Sequence, residues 1–222
     1  DICSMCAKLI EFSNEILDRE FFAVVRDKED GLPLPFGCFL IGTDRAALTN
    51  GGLMKSGGYV RSYCKNRQYM GKGVATKLWV GDYYTDKEFT ELAKKSSGIE
   101  RVGIIRADVD NLGRAFVSGF DEKYTSLSRT ATFSRKLSIF FKNHINTLLR
   151  VNGYNAVIVY SGGDDVFMVT SWSDAVGAAV TMRDALERFS QGTLSISAGI
   201  GLYTPKYPVA AMANESGELE DA

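Results

Sequence analysis

Residues 158–169 read Ile-Val-Tyr-Ser-Gly-Gly-Asp-Asp-Val-Phe-Met-Val, an apolar run broken by Gly162, Gly163 and two adjacent carboxylates, Asp164 and Asp165. Upstream, another apolar run ends in Arg-Ala-Asp-Val-Asp-Asn-Leu-Gly (106–113), which carries Asp108 and Asp110. Aspartates delivered at the ends of two strands suit the holding of divalent metals for nucleotidyl transfer. That reaction is an in-line displacement at phosphorus, and two metal ions roughly 3.5–4 Å apart stabilise its attacking and leaving oxygens. Mg²⁺ is a hard ion that takes carboxylate, phosphate and water oxygens, and Mn²⁺ is bound by the same oxygen-rich ligands. A cation also makes clustered aspartates tolerable, because they otherwise repel one another. Gly162 and Gly163 suit a tight hairpin that lets a triphosphate come close to the backbone. The turn through Asn111, Leu112 and Gly113 can aim N–H groups at phosphate oxygens. Taken singly, Gly-Gly-Asp is an ordinary hairpin turn and Asp-Val-Asp-Asn an ordinary strand end or helix cap. Their pairing at one end of neighbouring strands is what points to a site.

The elements that must position these residues follow from periodicity. From Gly98 onward the pattern predicts a strand over Val102–Ala107 and a long helix over Ser126–Arg150. In that helix Leu137, Phe140, Phe141, Ile145 and Leu148 form the core stripe. A hairpin of Ala156–Ser161 and Val166–Thr170 follows, then a helix capped at Ser173 or Asp174 and running through Phe189. Leu194–Gly201 alternates as a fourth strand, and Val209–Ala222 begins another helix. The order β-α-β-β-α-β predicts an α+β, ferredoxin-like fold with the first strand beside the hairpin, and at Asp108-Val-Asp-Asn and Gly162-Gly-Asp-Asp the chain resembles the palm of the nucleotide-cyclase and polymerase superfamily. Asp108 then lies next to Asp164 and Asp165.

The chain divides near residue 98, into 1–97 and 98–222. The first part is expected to be a small mixed domain, partly zinc-ribbon-like. It holds a helix over Ala7–Leu17 and short strands at Phe21–Val25, Cys38–Ile41 and Thr76–Val80, with glycine-rich loops at Gly51-Gly52 and Gly57-Gly58. Residues 82–97 are expected to be a helix-containing linker. Cys3 and Cys6 supply half of a tetrahedral zinc site. Lys55, Arg61, Lys65, Arg67, Lys72 and Lys77, set among Tyr59, Tyr63 and Tyr69, form either a track for a nucleic-acid backbone or a solvated face.

Composition sets limits on the rest. The chain has 222 residues and a formal net charge of −1, so no global basic field announces nucleic acid. No apolar stretch approaches about eighteen residues, so no membrane span is expected. Four cysteines without a disulfide-like framework suit a reducing interior, and the cytoplasm is the expected compartment. The start at Asp1 and the acidic end, Glu218 to Ala222, are those expected of a piece of a longer protein.

Longer phrases carry a family resemblance. Ile-Ile-Arg-Ala-Asp-Val-Asp-Asn-Leu-Gly-Arg-Ala-Phe (104–116), Phe-Ser-Arg-Lys-Leu-Ser-Ile-Phe-Phe (133–141) and Tyr-Ser-Gly-Gly-Asp-Asp-Val-Phe (160–167) resemble the large signature subunit of type III, Csm-type CRISPR effectors. Tyr203-Thr-Pro-Lys-Tyr-Pro and Glu215-Ser-Gly-Glu-Leu-Glu fit as well. The resemblance covers nearly the whole chain and is strongest over 99–220. It implies a palm that converts ATP into cyclic oligoadenylates when the effector, with its guide RNA, binds target RNA. Asp108, Asp164 and Asp165, with Asp110 beside them, are then ligands of Mg²⁺ or Mn²⁺. Gly162, Gly163, Asn111, Leu112, Gly113 and Ser161 are nucleotide contacts, with Arg106 and Arg114 as further ones. The implied partners are the other effector subunits, guide and target RNA, and a second palm of the same full-length subunit. Another Cys-x-x-Cys would complete the zinc site.

Two other readings stand beside this one. Diguanylate cyclases share the fold and carry an Asn-Asp pair eight and nine positions after the first aspartate. Phe116 and Val117 occupy those positions here and cannot read a guanine edge. A non-catalytic scaffold palm is the second alternative, although this one keeps all its acids. The sole histidine, His144, is expected to be packed on the long helix, and no histidine–aspartate pair of a nuclease is present. No general base for the ribose hydroxyl stands out, and metal coordination lowers that hydroxyl's pKa without one.

Overall fold

The computed structural model describes residues 2–26, 31–50, 52–71, 74–119, 123 and 126–220. Gly51, Lys72 and the final Asp221-Ala222, all used above, lie outside the described residues. The chain forms two compact units, Asp1–Val80 and Gly81–Ala222. Residues 82–97, expected as a linker, thus belong to the second unit. The reason is burial: Tyr83 enters one core of that unit, and Leu92 and Ala93 enter another.

In the first unit, helix α1 (Ser4–Asp18) precedes strands β1 (Phe21–Val25), β2 (Leu32–Leu34) and β3 (Cys38–Thr43). A short helix α2 (Arg45–Thr49) and strands β4 (Tyr59–Lys65), β5 (Tyr69–Met70) and β6 (Val74–Leu78) complete it. The strand order is β2-β3-β1-β4-β6-β5, with β4 and β6 parallel. Phe21, Leu48, Cys64 and Ala75 form its core. Much of the basic stretch is used internally. Lys65 Nζ donates to the carbonyls of Ile16 and Leu17 at the C-terminal end of α1, Arg67 pairs with Glu20 at 2.6 Å, and Lys77 lies over the Trp79 ring.

In the second unit, α3 (Phe89–Lys94) is followed by β7 (Val102–Val109), α4 (Leu112–Ser118) and α5 (Leu127–Ile139). A π-helical turn (Phe140–His144) leads into α6 (Ile145–Asn152), β8 (Ala156–Ser161) and β9 (Asp165–Ser171). Helix α7 (Trp172–Ser190), β10 (Ile196–Tyr203) and α8 (Val209–Glu220) follow. The strand order is β10-β7-β9-β8, and every neighbouring pair is antiparallel. Both faces of this sheet are covered. Ile105, Ala107, Val109, Val166 and Met168 face α5, α6 and α7, whereas Val102, Ile104, Phe167 and Val169 face α3 and α8. Double coverage explains why 102–105 and 166–169 are near-continuous apolar runs rather than clean alternations. Each fully buried aliphatic side chain contributes about 1.5–3 kcal/mol.

Two expectations need correction. The helix over 126–150 is not continuous, because the π turn inserts between α5 and α6. The Ile145 N–H reaches Phe140 O, five residues back, and Phe140 and Phe141 are both fully buried. The cap of α7 is not Ser173 or Asp174, since the helix begins at Trp172. The Asp174 carboxylate is instead drawn to Asn155, whose backbone N–H (2.8 Å) and side-chain amide (3.0 Å) both donate to it.

Candidate active site

Strand alternation decides which face each acid occupies. Counting from Val102 and Ile104, Arg106 and Asp108 project to the α8 side of β7, and Asp165 does the same on β9. The register then sets Asp108 directly opposite Asp165. Gly162 N–H bonds to Asp165 O at 2.8 Å and closes the hairpin, which leaves Gly163 and Asp164 at its tip. A cleft of about 220 Å³ results, lined by Arg106, Asp108, Asp164, Asp165 and Glu220.

The charges there are mutually unfavourable. Burial pushes the Asp108 carboxyl up from its ordinary value, and Asp164, Asp165 and Asp110 push it further. Burial also raises Asp164, with Asp165 adding to it. The Tyr160 phenol is raised by its contact with the Asp165 carboxylate, then by burial. Asp165 Oδ1 is buried and has no hydrogen-bond partner. An all-oxygen donor set with an orphaned buried carboxylate oxygen suits a hard divalent cation. The acids stand apart, however: among the described residues no three His, Cys, Asp or Glu side chains converge as a ready-made ligand set.

The glycines act through space rather than backbone twist. Neither Gly162 nor Gly163 has a positive φ. A Cβ on Gly162 would collide with Asp165 Oδ1 and approach the Tyr160 hydroxyl, while Gly163 is nearly open.

The other expected contacts are distributed elsewhere. Asp110 accepts from Ser197 Oγ at 2.6 Å and lines a second cavity of about 480 Å³ with Asn111, Arg114 and Phe133. Asn111 is left-handed (φ 52°) and precedes α4, Leu112 packs against the larger core, and Gly113 has open space beside it. Ser161 donates to the Phe141 carbonyl in the π turn and does not line the acid cleft. His144 lies against the rings of Phe140 and Phe189.

Glu220 is the cleft residue that sequence reasoning missed. The signal for it was indirect: Gly199 on β10 pairs with Arg106 on β7, and a Cβ there would meet Ser216 O and Glu220 N of α8. The helix therefore comes down onto the strand and delivers its last turn to the acids.

Cys3 and Cys6 sit at the exposed start of α1, where Cys3 Sγ accepts the Cys6 N–H at 3.4 Å. That bond lowers the Cys3 thiol, and the same pairing raises Cys6. Cys64 is buried in the core of its unit, and Cys38 is partly exposed.

The chain is 42% identical over 238 residues to the CRISPR system single-strand-specific deoxyribonuclease Cas10/Csm1 (subtype III-A) of Mycobacterium tuberculosis. That alignment covers 99% of the chain and 29% of the relative, so the chain spans about three tenths of the relative's length. In fold it is similar to the Csm1–Csm4 cassette in complex with one ATP (TM-score 0.78, 24% identity, 97% of this chain and 32% of that one). It is similar also to that cassette in complex with cA4 (TM-score 0.75, 24% identity, 97% and 32%). Residues 101–222 match the family model for Cas10/Cmr2, second palm domain. A match over more than half its length, centred on the strands that carry the acids, means that the chain belongs to the Cas10/Cmr2 second-palm family.

Proposed function

We propose that this palm is the catalytic cyclase of a type III CRISPR effector large subunit and makes cyclic oligoadenylates from ATP by metal-dependent nucleotidyl transfer. The observation that carries this reading is the register of β7 against β9, which puts Asp108, Asp164 and Asp165 around one cleft. The ATP and cA4 named for structurally similar Csm1–Csm4 cassettes supply the nucleotide class. The strand order β10-β7-β9-β8, antiparallel throughout, supports reading the sheet as a ferredoxin-like palm.

Asp108, Asp164 and Asp165 would hold Mg²⁺ or Mn²⁺, and the bound cations supply Lewis-acid stabilisation of the attacking and leaving oxygens. The hairpin keeps Asp165 fixed by its backbone pairing, while Asp164 at the tip faces the same space. Gly163 leaves room beside the tip for a phosphate chain. Asn111, Leu112 and Gly113 border the nucleotide, with Asp110 outside the inner set. Phe116 packs edge-on against Phe133, and Val117 is exposed, so neither offers the hydrogen bonds that guanine requires.

The wider setting belongs to the same proposal. The partners are a Csm4-like subunit, other effector subunits, guide and target RNA, and a second palm, in the cytoplasm. Among the described residues no helix is long and apolar enough to cross a membrane. Cys3, whose thiol is lowered from its ordinary value by the Cys6 N–H, and Cys6 would contribute half of a structural zinc site.

The test is mass spectrometry of products from the guide-loaded effector given ATP, Mg²⁺ and matching target RNA. Cyclic oligoadenylates are expected from the parent and not from Asp164→Ala/Asp165→Ala. Turnover of GTP alone would support the guanine reading, and target binding without any nucleotide turnover would make the palm a scaffold.

A further inference from the structure

Tyr160 and Ser161 leave the sheet on opposite sides, and a bulge in β8 decides which goes where. Ile158 pairs with Met168, but Tyr160 pairs with Phe167 and Ser161 with Val166, so β8 carries one extra residue, Val159, against β9. Without that residue, alternation would set Tyr160 opposite Val166 and Ser161 opposite Asp165, on the side of the acids. With it, Tyr160 shares the face of Phe167 and Asp165, and Ser161 is turned toward α5, α6 and α7. There its hydroxyl donates to the Phe141 carbonyl in the π-helical turn. The place is a fitted one. A Cβ on Gly81 would come within 2.6 Å of the Ser161 Cβ and 3.1 Å of its Oγ. The same stretch of helix also passes the hairpin tip, since a Cβ on Gly163 would lie 3.6 Å from Ser138 Oγ.

Ser161 is the last residue of β8 before the turn, and the next N–H, that of Gly162, closes the turn on Asp165 O. Whatever fixes Ser161 therefore fixes the base of the hairpin that carries Asp164 and Asp165. Metal ligands must be held within about 0.5 Å of their working geometry by a rigid support, and π-helical turns recur at functional sites. We propose that Ser161 is a positioning residue: its bond to the π turn anchors the hairpin and so sets the two carboxylates for the cation. This rests on the reading of the cleft as a metal-dependent nucleotidyl-transfer site. It also replaces the nucleotide contact expected of Ser161, whose hydroxyl is bonded on the side of the sheet away from the acids.

Three readouts on the whole protein test this: Mn²⁺ affinity by isothermal titration, ATP affinity at saturating Mn²⁺, and hydrogen exchange over 160–165 in EDTA. Ser161→Ala is expected to lower Mn²⁺ affinity about 10-fold, the scale of losing a group that orients a ligand. Exchange over 160–165 should run about 5- to 10-fold faster, as the loss of one hydrogen bond implies. ATP affinity should hold once Mn²⁺ saturates the site. Ser161→Cys, a weaker donor of similar shape, should fall between the parent and Ser161→Ala in both Mn²⁺ affinity and exchange. Unchanged Mn²⁺ affinity in Ser161→Ala overturns the proposal. So does faster exchange throughout the palm, which would mean a general loss of stability. A loss of ATP affinity at saturating Mn²⁺ would overturn it as well and make Ser161 a nucleotide contact. If the parent binds Mn²⁺ no better than Asp164→Ala/Asp165→Ala, the reading of the cleft fails, and exchange over 160–165 alone decides whether Ser161 anchors the hairpin.

Discussion

Asp108 and Asp165 face each other across the β7–β9 pair, with Asp164 one residue away at the hairpin tip. The fold therefore brings like charges together, and its stability without metal should show the cost. Burial first and neighbouring aspartates second hold the Asp108 and Asp164 carboxyls above their ordinary 3.8. In the window between that value and the raised folded values, the native chain binds more protons than the unfolded one. Stability then falls as pH rises through the window, and the penalty is complete above it. Metal-free Asp164→Asn should melt above the parent at neutral pH, and the gap should close as pH falls toward the unfolded value. Mg²⁺ should favour the parent instead. Thermal melts in EDTA and in Mg²⁺ check this, and a metal-free variant that melts below the parent at neutral pH would contradict it.

The two aspartates of the first cluster should differ sharply in importance. Asp108 lines the acid cleft, whereas Asp110 is engaged by Ser197 Oγ and borders the other cavity. Asp108→Asn should lower the single-turnover rate more than about 100-fold, the scale of losing one electrostatic stabiliser of a transition state. Asp110→Asn should cost about 10-fold or less, as an outer positioning group does. Equal losses would place Asp110 among the inner ligands.

Much of this site was legible because its signals are local. The apolar runs ending in Asp108 and around Asp164-Asp165 announce strands, and β8 was expected at the same residues at which it is found. Registers and close approaches were not legible, because they depend on what packs across from a residue. Ser161 looks like a nucleotide contact from its place beside Gly162, yet its hydroxyl is directed to a carbonyl in the π turn. No periodicity announces that turn, since it follows from burying Phe140 and Phe141 together. Glu220 reaches the cleft only because Gly199 lets α8 approach β10.

Gly162 gives a sharp steric prediction. Gly162→Ala places a methyl carbon into Asp165 Oδ1 and within 2.5 Å of the Tyr160 hydroxyl. Overpacking of this kind costs about 1–3 kcal/mol and moves the flexible group first, which here is the Asp165 carboxylate. Mn²⁺ affinity should fall at least about 10-fold. Adding Tyr160→Phe removes one of the two clashing atoms and should recover part of the affinity. Isothermal titration with Mn²⁺ reads both variants, and an unchanged affinity in Gly162→Ala would mean that Asp165 is not the constrained ligand.

Asn146 tests why residues 81–97 belong to the palm unit. Its side chain is buried, and its Oδ1 accepts from the backbone N–H groups of Asp82 (3.0 Å) and Tyr83 (3.1 Å), while Nδ2 donates to Lys142 O (3.1 Å). The Tyr83 hydroxyl donates to Tyr154 O at 2.7 Å, and Tyr83 itself lies in the core with Phe141 and Ile158. One amide thus satisfies two backbone donors of the stretch leading into α3, beside the backbone bonds that join Tyr83 and Thr85 to β8. Asn146→Leu keeps the branched shape but strands both N–H groups, at roughly 1–3 kcal/mol for each buried donor left unmet. The expected result is a loss of about 2–4 kcal/mol in urea unfolding, with faster hydrogen exchange at Asp82 and Tyr83. Asn146→Asp retains an acceptor and should lose less. Unaltered exchange at those two amides in Asn146→Leu would show that the segment is held by the Tyr83 ring rather than by the amide.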